Sequence, residues 1–265
     1  MADLQNDDPI EDKPMPLLDH LIELRRRLMW SMAAFGVCFF IAYYFSNAIY
    51  YALAIPLADV LKASGSADPK LIYTQLYEAF FVRIKVAMFG GLFIAFPIIA
   101  TQLWLFVAPG LYRSEKRAFL PFLAATPILF VTGGALAYFV LFPIAFQFFA
   151  GFQDLTGGGG VPIELVPKVG EYLDLVMKMI FACGLIFQLP VGLSLMAKVG
   201  ITSSAALKRY RRYAIVGMLV IAAIVAPPDP ISMIVVGIPL ILLYEVSILT
   251  AGWVETKPVE DPTDA

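Results

Sequence analysis

Long apolar runs, divided by short polar or proline-bearing stretches, set the pattern of this chain. Six runs stand out: Leu28–Tyr51, Ala79–Val107, Ala118–Phe149, Leu173–Ala197, Tyr213–Ala226 and Ile231–Trp253. A bilayer core takes about 20 apolar residues per helix, so most of these runs are long enough to cross it. They do not alternate over about 10 residues, as the strands of a membrane barrel would. The third run is longer than a crossing needs. The fifth has 14 residues, or roughly 21 Å of helix at about 1.5 Å per residue, against a hydrocarbon core of about 30 Å. The pattern predicts an all-α integral membrane protein with six transmembrane helices, its fifth helix short. The first run is about twice the length of a signal-peptide core. Its acidic lead, Asp3 to Asp12, also fits a leader poorly, so it reads as a retained helix even though Ala52-Leu53-Ala54 imitates a cleavage site. The division follows: a single polytopic domain, with an acidic tail 1–15, a six-helix bundle 16–253 and a tail 254–265.

Composition supports this reading. Of 265 residues, 60% are hydrophobic and 15% charged; a soluble domain is nearer half apolar and a quarter charged. The net charge of −2 offers no basic field for nucleic acid. Cys38 and Cys183 both lie inside apolar runs, and His20 is the single histidine. Neither a disulfide framework nor a multi-histidine metal site is available. No phosphate-cradling loop, no H-E-x-x-H and no G-x-S-x-G occurs, so no cofactor and no enzyme activity is expected.

Charge fixes an expected orientation. One side collects thirteen basic residues: Lys13 and Arg25–Arg27, then Arg113, Lys116 and Arg117, then Lys198, Lys208, Arg209, Arg211 and Arg212, and Lys257. The other side gets Lys62, Lys70 and Lys168, with Arg83, Lys85 and Lys178 near enough to snorkel to it. Both termini are therefore expected in the cytoplasm. Trp30, Trp104 and Trp253 fall at the same span ends, where interfacial tryptophans belong. The expected outer loops are Ala52–Glu78 and Ala150–Tyr172, the second carrying Gly157 to Gly160.

Several residues could carry chemistry. Pro97, Pro121, Pro127, Pro143, Pro190 and Pro239 lie within spans. Each removes a backbone hydrogen bond, which predicts kinked helices and a curved, concave bundle. Leu17, Leu21, Leu24 and Leu28 form an apolar stripe with Glu23 on the polar side. Glu23 either pairs with Arg27 one turn on or receives a cationic ligand. Glu115 is the sole acid of a basic loop; it either balances local charge or adds a second carboxylate on the same face. Glu245 is the deepest acid, about 12 Å of helix from Trp253, with no basic residue within a turn. An intramembrane carboxylate suggests function, or simply a hydrogen-bonded glutamate in the bundle. Gln188, just before Leu189-Pro190, is a second mid-span polar group. Asp174 and Lys178 are expected to pair.

His20-Leu21-Ile22-Glu23-Leu24-Arg25-Arg26-Arg27-Leu28 resembles the opening motif of the TatC family, the multispanning subunits of the twin-arginine protein translocase. Phe106 to Arg117, with Pro109, Leu111 and Glu115, is similar to a second family motif. Ala137-Tyr138-Phe139 with Phe142-Pro143, Pro227-Pro228-Asp229, Ile238-Pro239 and Tyr244-Glu245 follow in family order. The resemblance runs from about Pro16 to Trp253. It implies a receptor in the bacterial cytoplasmic membrane for folded proteins whose signal peptides carry paired arginines. Such a receptor exports them on the proton gradient, with TatA- and TatB-like single-span partners and other copies of itself. It further implies that Glu23, Glu115, Arg25, Phe106 and Pro56 serve signal-peptide binding, with Asp229 in a conserved-type loop motif. Gln188 stands where some members have glutamate, Ala226 where some have threonine and Met233 where some have glutamine. The alternatives are a proton-coupled small-solute transporter and, further off, a membrane enzyme. Internal repeats, which a repeat-built transporter would show, are not visible.

Overall fold

The computed structural model describes residues 17–66, 68–107, 116–155 and 160–255. The described residues are helical almost throughout. In chain order the helices are α1 (Leu17–Tyr44), α2 (Ser46–Ala63), α3 (Glu78–Val107), α4 (Lys116–Leu136), a π-helical turn (Ala137–Leu141), α5 (Phe142–Ala150), α6 (Val169–Ile186), α7 (Leu189–Lys198), α8 (Ser204–Val225) and α9 (Pro230–Val254). Among the described residues, five stretches are long and apolar enough to cross a membrane: 20–44, 78–107, 120–150, 169–198 and 230–254. Large apolar side chains such as Phe40, Met88, Phe139 and Leu242 face outward on them, as lipid-facing surfaces require.

Packing follows small residues. α1 lies antiparallel against α3, and a Cβ at Gly91 would stand 2.7 Å from the Phe39 Cα. α4 meets α6 equally closely: a Cβ at Gly133 would come within 2.5 Å of the Cys183 carbonyl oxygen, and one at Gly184 within 2.6 Å of the Phe130 ring. Lipid tails are as apolar as side chains, so helix association depends on such close van der Waals contact. Phe130 stacks on Phe96 with centroids 3.6 Å apart and meets Phe93 at 5.0 Å. α9 packs against α7 and α8, with Ser194 of α7 donating to Thr250 of α9 at 2.7 Å.

Three expectations change. The first run does not continue to Tyr51: α1 stops at Tyr44, and a separate α2 follows through Ala63, so much of the expected outer loop is helix. The fifth helix is not short. α8 has 22 residues, or about 33 Å, because its first turns are built from the charged stretch Lys208–Arg212, which an apolar run leaves out. Its N-cap Ser203 accepts from the Ala206 amide at 3.1 Å, a standard helix start. Asp174 does not take Lys178. It takes Lys85 of α3 at 2.7 Å, while Lys178 is exposed. An i,i+4 surface pair stabilises by only about 0.3–0.5 kcal/mol, so a cation reaching across the α3–α6 seam wins.

The ends of the helices opposite Glu23 are tied together. Ile72 N donates to the Pro167 carbonyl at 3.1 Å, and the Ile72 carbonyl accepts from Val169 N at 2.9 Å. The Glu78 carboxylate accepts from Thr74 N at 2.9 Å and Gly170 N at 3.0 Å, so one side chain joins the starts of α3 and α6.

Candidate functional site

Glu23 sits in the second turn of α1, on the side turned toward the last turns of α3. Its Oε1 accepts from Arg27 Nε at 3.0 Å and from Arg27 Nη2. The spacing of four residues on a helix makes this pair available. Arg27 Nη1 also reaches Gln102 Oε1 of α3 at 3.5 Å. The two side chains are mostly enclosed, 24% and 20% exposed. Among the described residues Glu23 Oε2 takes no hydrogen bond. Glu23, Arg26, Arg27, Trp30 and Gln102 line a cavity of about 310 Å³. Directly beside it, Ile22, Arg25, Arg26, Met29, Trp30 and Ala33 line a more apolar groove of about 540 Å³. Arg26 and Trp30 belong to both. A carboxylate pocket thus opens beside an apolar trough on one helix.

Phe106, in the last turn of α3, stacks on His20 with ring centroids 4.3 Å apart and planes 15° off parallel. This contact fixes the start of α1 to the end of α3. The structure brings Glu23, Arg25 and Phe106 to one end of the bundle. Glu115 lies outside the described residues, as does the rest of 108–115. Pro56 is not part of this group. It lies in α2, past the far end of α1, and 21 residues of helix separate Glu23 from Tyr44, about 31 Å.

The surroundings of Pro56 explain its place. Proline has no N–H, so the carbonyl four residues back loses its helical donor. That carbonyl belongs to Ala52, and Tyr138 OH donates to it at 2.6 Å. Tyr172 OH donates to the next carbonyl, Leu53, also at 2.6 Å. Two tyrosines from different helices therefore anchor α2. Pro143 acts similarly on the third apolar stretch. It would leave the Phe139 carbonyl without its donor, and the helix there widens into the π-helical turn Ala137–Leu141.

The polar groups Glu245 and Gln188 have partners that the sequence does not announce. Glu245 of α9 accepts from Arg211 Nη2 of α8 at 2.8 Å. The neighbouring Tyr244 OH donates to the Leu207 carbonyl at 2.9 Å, so two bonds hold α9 to the start of α8. Gln188 lies in the turn that separates α6 from α7. Its Nε2 donates to the Thr126 carbonyl of α4 at 2.9 Å, and its buried Oε1 has no partner among the described residues. Asp229, 4% exposed, caps α9 by accepting from Ser232 N at 2.6 Å. Its Oδ2 and the Ser232 Oγ are buried and unpartnered among the described residues. No cluster of metal-ligating side chains occurs among the described residues.

Gln102, Trp30 and Arg211 were missed as site residues by sequence reasoning. Gln102 carried a signal: it is a lone amide in the apolar run Ala79–Val107. Arg211 carried none, since pairing across helices depends on how α8 and α9 face each other.

Comparison with known proteins places the chain among its relatives. Residues 19–239 match the family model described as Sec-independent protein translocase protein (TatC). The chain is similar to the protein of that name from Magnetococcus marinus, 49% identical over 249 residues, covering 94% of this chain and 88% of the relative. The Rickettsia prowazekii protein is 42% identical over 240 residues, covering 90% and 93%. A crystal structure of the twin-arginine translocase receptor TatC in DDM superposes with a TM-score of 0.73 at 36% identity, covering 87% of this chain and 98% of that one.

Proposed function

The chain belongs to the TatC family of protein translocase subunits, a multi-span protein of the bacterial cytoplasmic membrane, and from that premise we propose that it is the receptor for paired-arginine signal peptides. The observation that carries this is the Glu23 pocket. A carboxylate there accepts a guanidinium through two nitrogens, the recognition chemistry that a signal-peptide arginine requires. Guanidinium is a planar fork that carboxylates meet better than they meet ammonium. Glu23 Oε2 provides the acceptor for an incoming arginine, and Glu115 is the second carboxylate. Arg25 and Phe106 border the peptide, and the apolar trough beside Trp30 receives its hydrophobic segment. About 20 helical residues at 1.5 Å each would carry an inserted peptide to the level of Pro56.

In this reading the molecule is a single polytopic domain whose six-helix bundle spans 16–253, with α8 as the fifth crossing. Both termini are cytoplasmic, by the thirteen-to-six distribution of basic residues. The prolines and the breaks at 137–141 and 187–188 make the bundle concave. No nucleotide-binding motif is present in the sequence, and transport runs on the proton gradient with TatA- and TatB-like single-span partners. The α8–α9 seam around Glu245 and Arg211 offers such partners a polar docking point. Without a carboxylate at Gln188, protons do not move through that position. Site-specific crosslinking from positions 23 and 115 tests the receptor. A paired-arginine precursor should crosslink from both positions, and its paired-lysine counterpart weakly. Equal crosslinking of both precursors would overturn the reading.

A further inference from the structure

At the end of the bundle opposite Glu23, Arg83 of α3 is a cation whose bonded partners are all neutral. Its Nε donates to Ser46 Oγ at 3.1 Å and its Nη2 to Asn47 Oδ1 at 3.2 Å. Its guanidinium carbon stands 5.8 Å from the centroid of the Tyr43 ring. It makes no ion pair among the described residues. The acids nearest to it along α3 and across the α3–α6 seam are engaged elsewhere: Glu78 with the Thr74 and Gly170 amides, and Asp174 with Lys85. Arg83, Ser46, Asn47, Tyr50, Tyr73 and Val86 line a cavity of about 260 Å³ between the starts of α2 and α3.

Depth narrows what could fill this cavity. Arg83 lies five residues into α3, about 7.5 Å along its axis, and α1 ends beside it at Tyr44. Tyr43 faces the Arg83 guanidinium, and Tyr50 and Tyr73 line its cavity, as aromatic side chains do at a membrane interface. A guanidinium has five N–H donors. Two are held by Ser46 and Asn47, which orients the fork and leaves donors for a ligand. A cation that snorkels to a membrane edge meets lipid headgroups there, and phosphate is the anion that a guanidinium binds bidentately. Exposed Phe80, three residues before Arg83 and on the adjoining face of α3, offers an apolar surface suited to an acyl chain.

We propose that this cavity binds the phosphate of an anionic phospholipid, with Arg83 as the reading residue and Ser46 and Asn47 as its positioning residues. Free inorganic phosphate shares the chemistry but would gain nothing from the apolar flank. The site is separate from the signal-peptide pocket, and its occupancy is measured without any peptide.

The test is native mass spectrometry of the detergent-purified protein titrated with phosphatidylglycerol, phosphatidylcholine or inorganic phosphate. The variants are Arg83→Gln, the double variant Ser46→Ala/Asn47→Ala, and Lys70→Gln as an exposed control cation. Wild type and Lys70→Gln should retain one phosphatidylglycerol about tenfold more tightly than Arg83→Gln, the effect of one charge-assisted contact. The double variant keeps the charge but not its orientation and should fall between them. It carries the test alone if Arg83→Gln does not fold, as judged by helix content. Equal retention by wild type and the variants would overturn the proposal. So would equal retention of phosphatidylcholine, or displacement of the lipid by equimolar phosphate. Any of these would leave the Glu23 reading untouched, since peptide binding is a separate measurement.

Discussion

The guanidinium of Arg27 bonds the Glu23 carboxylate through two nitrogens, with Nε at 3.0 Å, and reaches Gln102 with a third. A signal-peptide arginine competing for the same carboxylate must weaken or share this contact. Arg27→Gln should therefore tighten binding of a paired-arginine peptide. A pair of this kind is worth at most about 1 kcal/mol, so the gain is up to about fivefold. Isothermal titration with a synthetic signal peptide measures it. Weaker binding by Arg27→Gln would make Arg27 a part of the binding surface instead of a competitor.

The basic distribution predicts which face each loop occupies. Single cysteines at Ser64 and Ser203, in a background with Cys38 and Cys183 replaced, should label with a membrane-impermeant maleimide in opposite ways. In intact cells Ser64→Cys should react and Ser203→Cys should not. The reverse pattern would invert the molecule and place Glu23 on the wrong side for a cytoplasmic ligand.

Pro56 and Tyr138 form a matched pair, since one frees the Ala52 carbonyl and the other bonds it. Tyr138→Phe should cost about 1 kcal/mol of stability in detergent, the net worth of one hydrogen bond. In a Pro56→Ala background residue 56 gains an N–H for the same carbonyl, and Tyr138→Phe should then cost much less. Additive effects in this double-mutant cycle would remove the explanation for the pair.

Glu245 and Arg211 should be coupled in the same way. Either single change to glutamine leaves one charge unpaired at the α8–α9 seam, whereas the double change leaves none. Each single variant should melt below the double variant, with a coupling of about 1 kcal/mol. A double variant less stable than both singles would show that the ion pair is not what joins these residues energetically.

The helices were readable because each had to hide its backbone from lipid, which demands long apolar runs. Boundaries were less readable where charge and helix overlap. Lys208–Arg212 reads as a loop by its polarity, yet Ser203 caps a helix that includes it. The break at Phe45 was hidden because the two polar residues that follow it, Ser46 and Asn47, are too few to interrupt the apolar run. At the site, the Glu23–Arg27 pair was legible from a spacing of four. Gln102, Arg211 and the Lys85–Asp174 pair were not, because they depend on which helices face one another. Tyr138 and Tyr172, which bond carbonyls of α2, belong to the same class: a proline announces a lost donor, but not which side chain replaces it.

The measurement that bears most directly on the receptor is the affinity of paired-arginine and paired-lysine signal peptides for wild type, Glu23→Gln and Glu115→Gln. Glutamine keeps the size and one acceptor while removing the charge. A charge-assisted hydrogen bond contributes about 1.5–3 kcal/mol, so each variant should bind the paired-arginine peptide roughly 10- to 150-fold more weakly. The preference for arginine over lysine should shrink in both. Unchanged affinity and unchanged preference in both variants would mean that these glutamates only balance the charge of their neighbours.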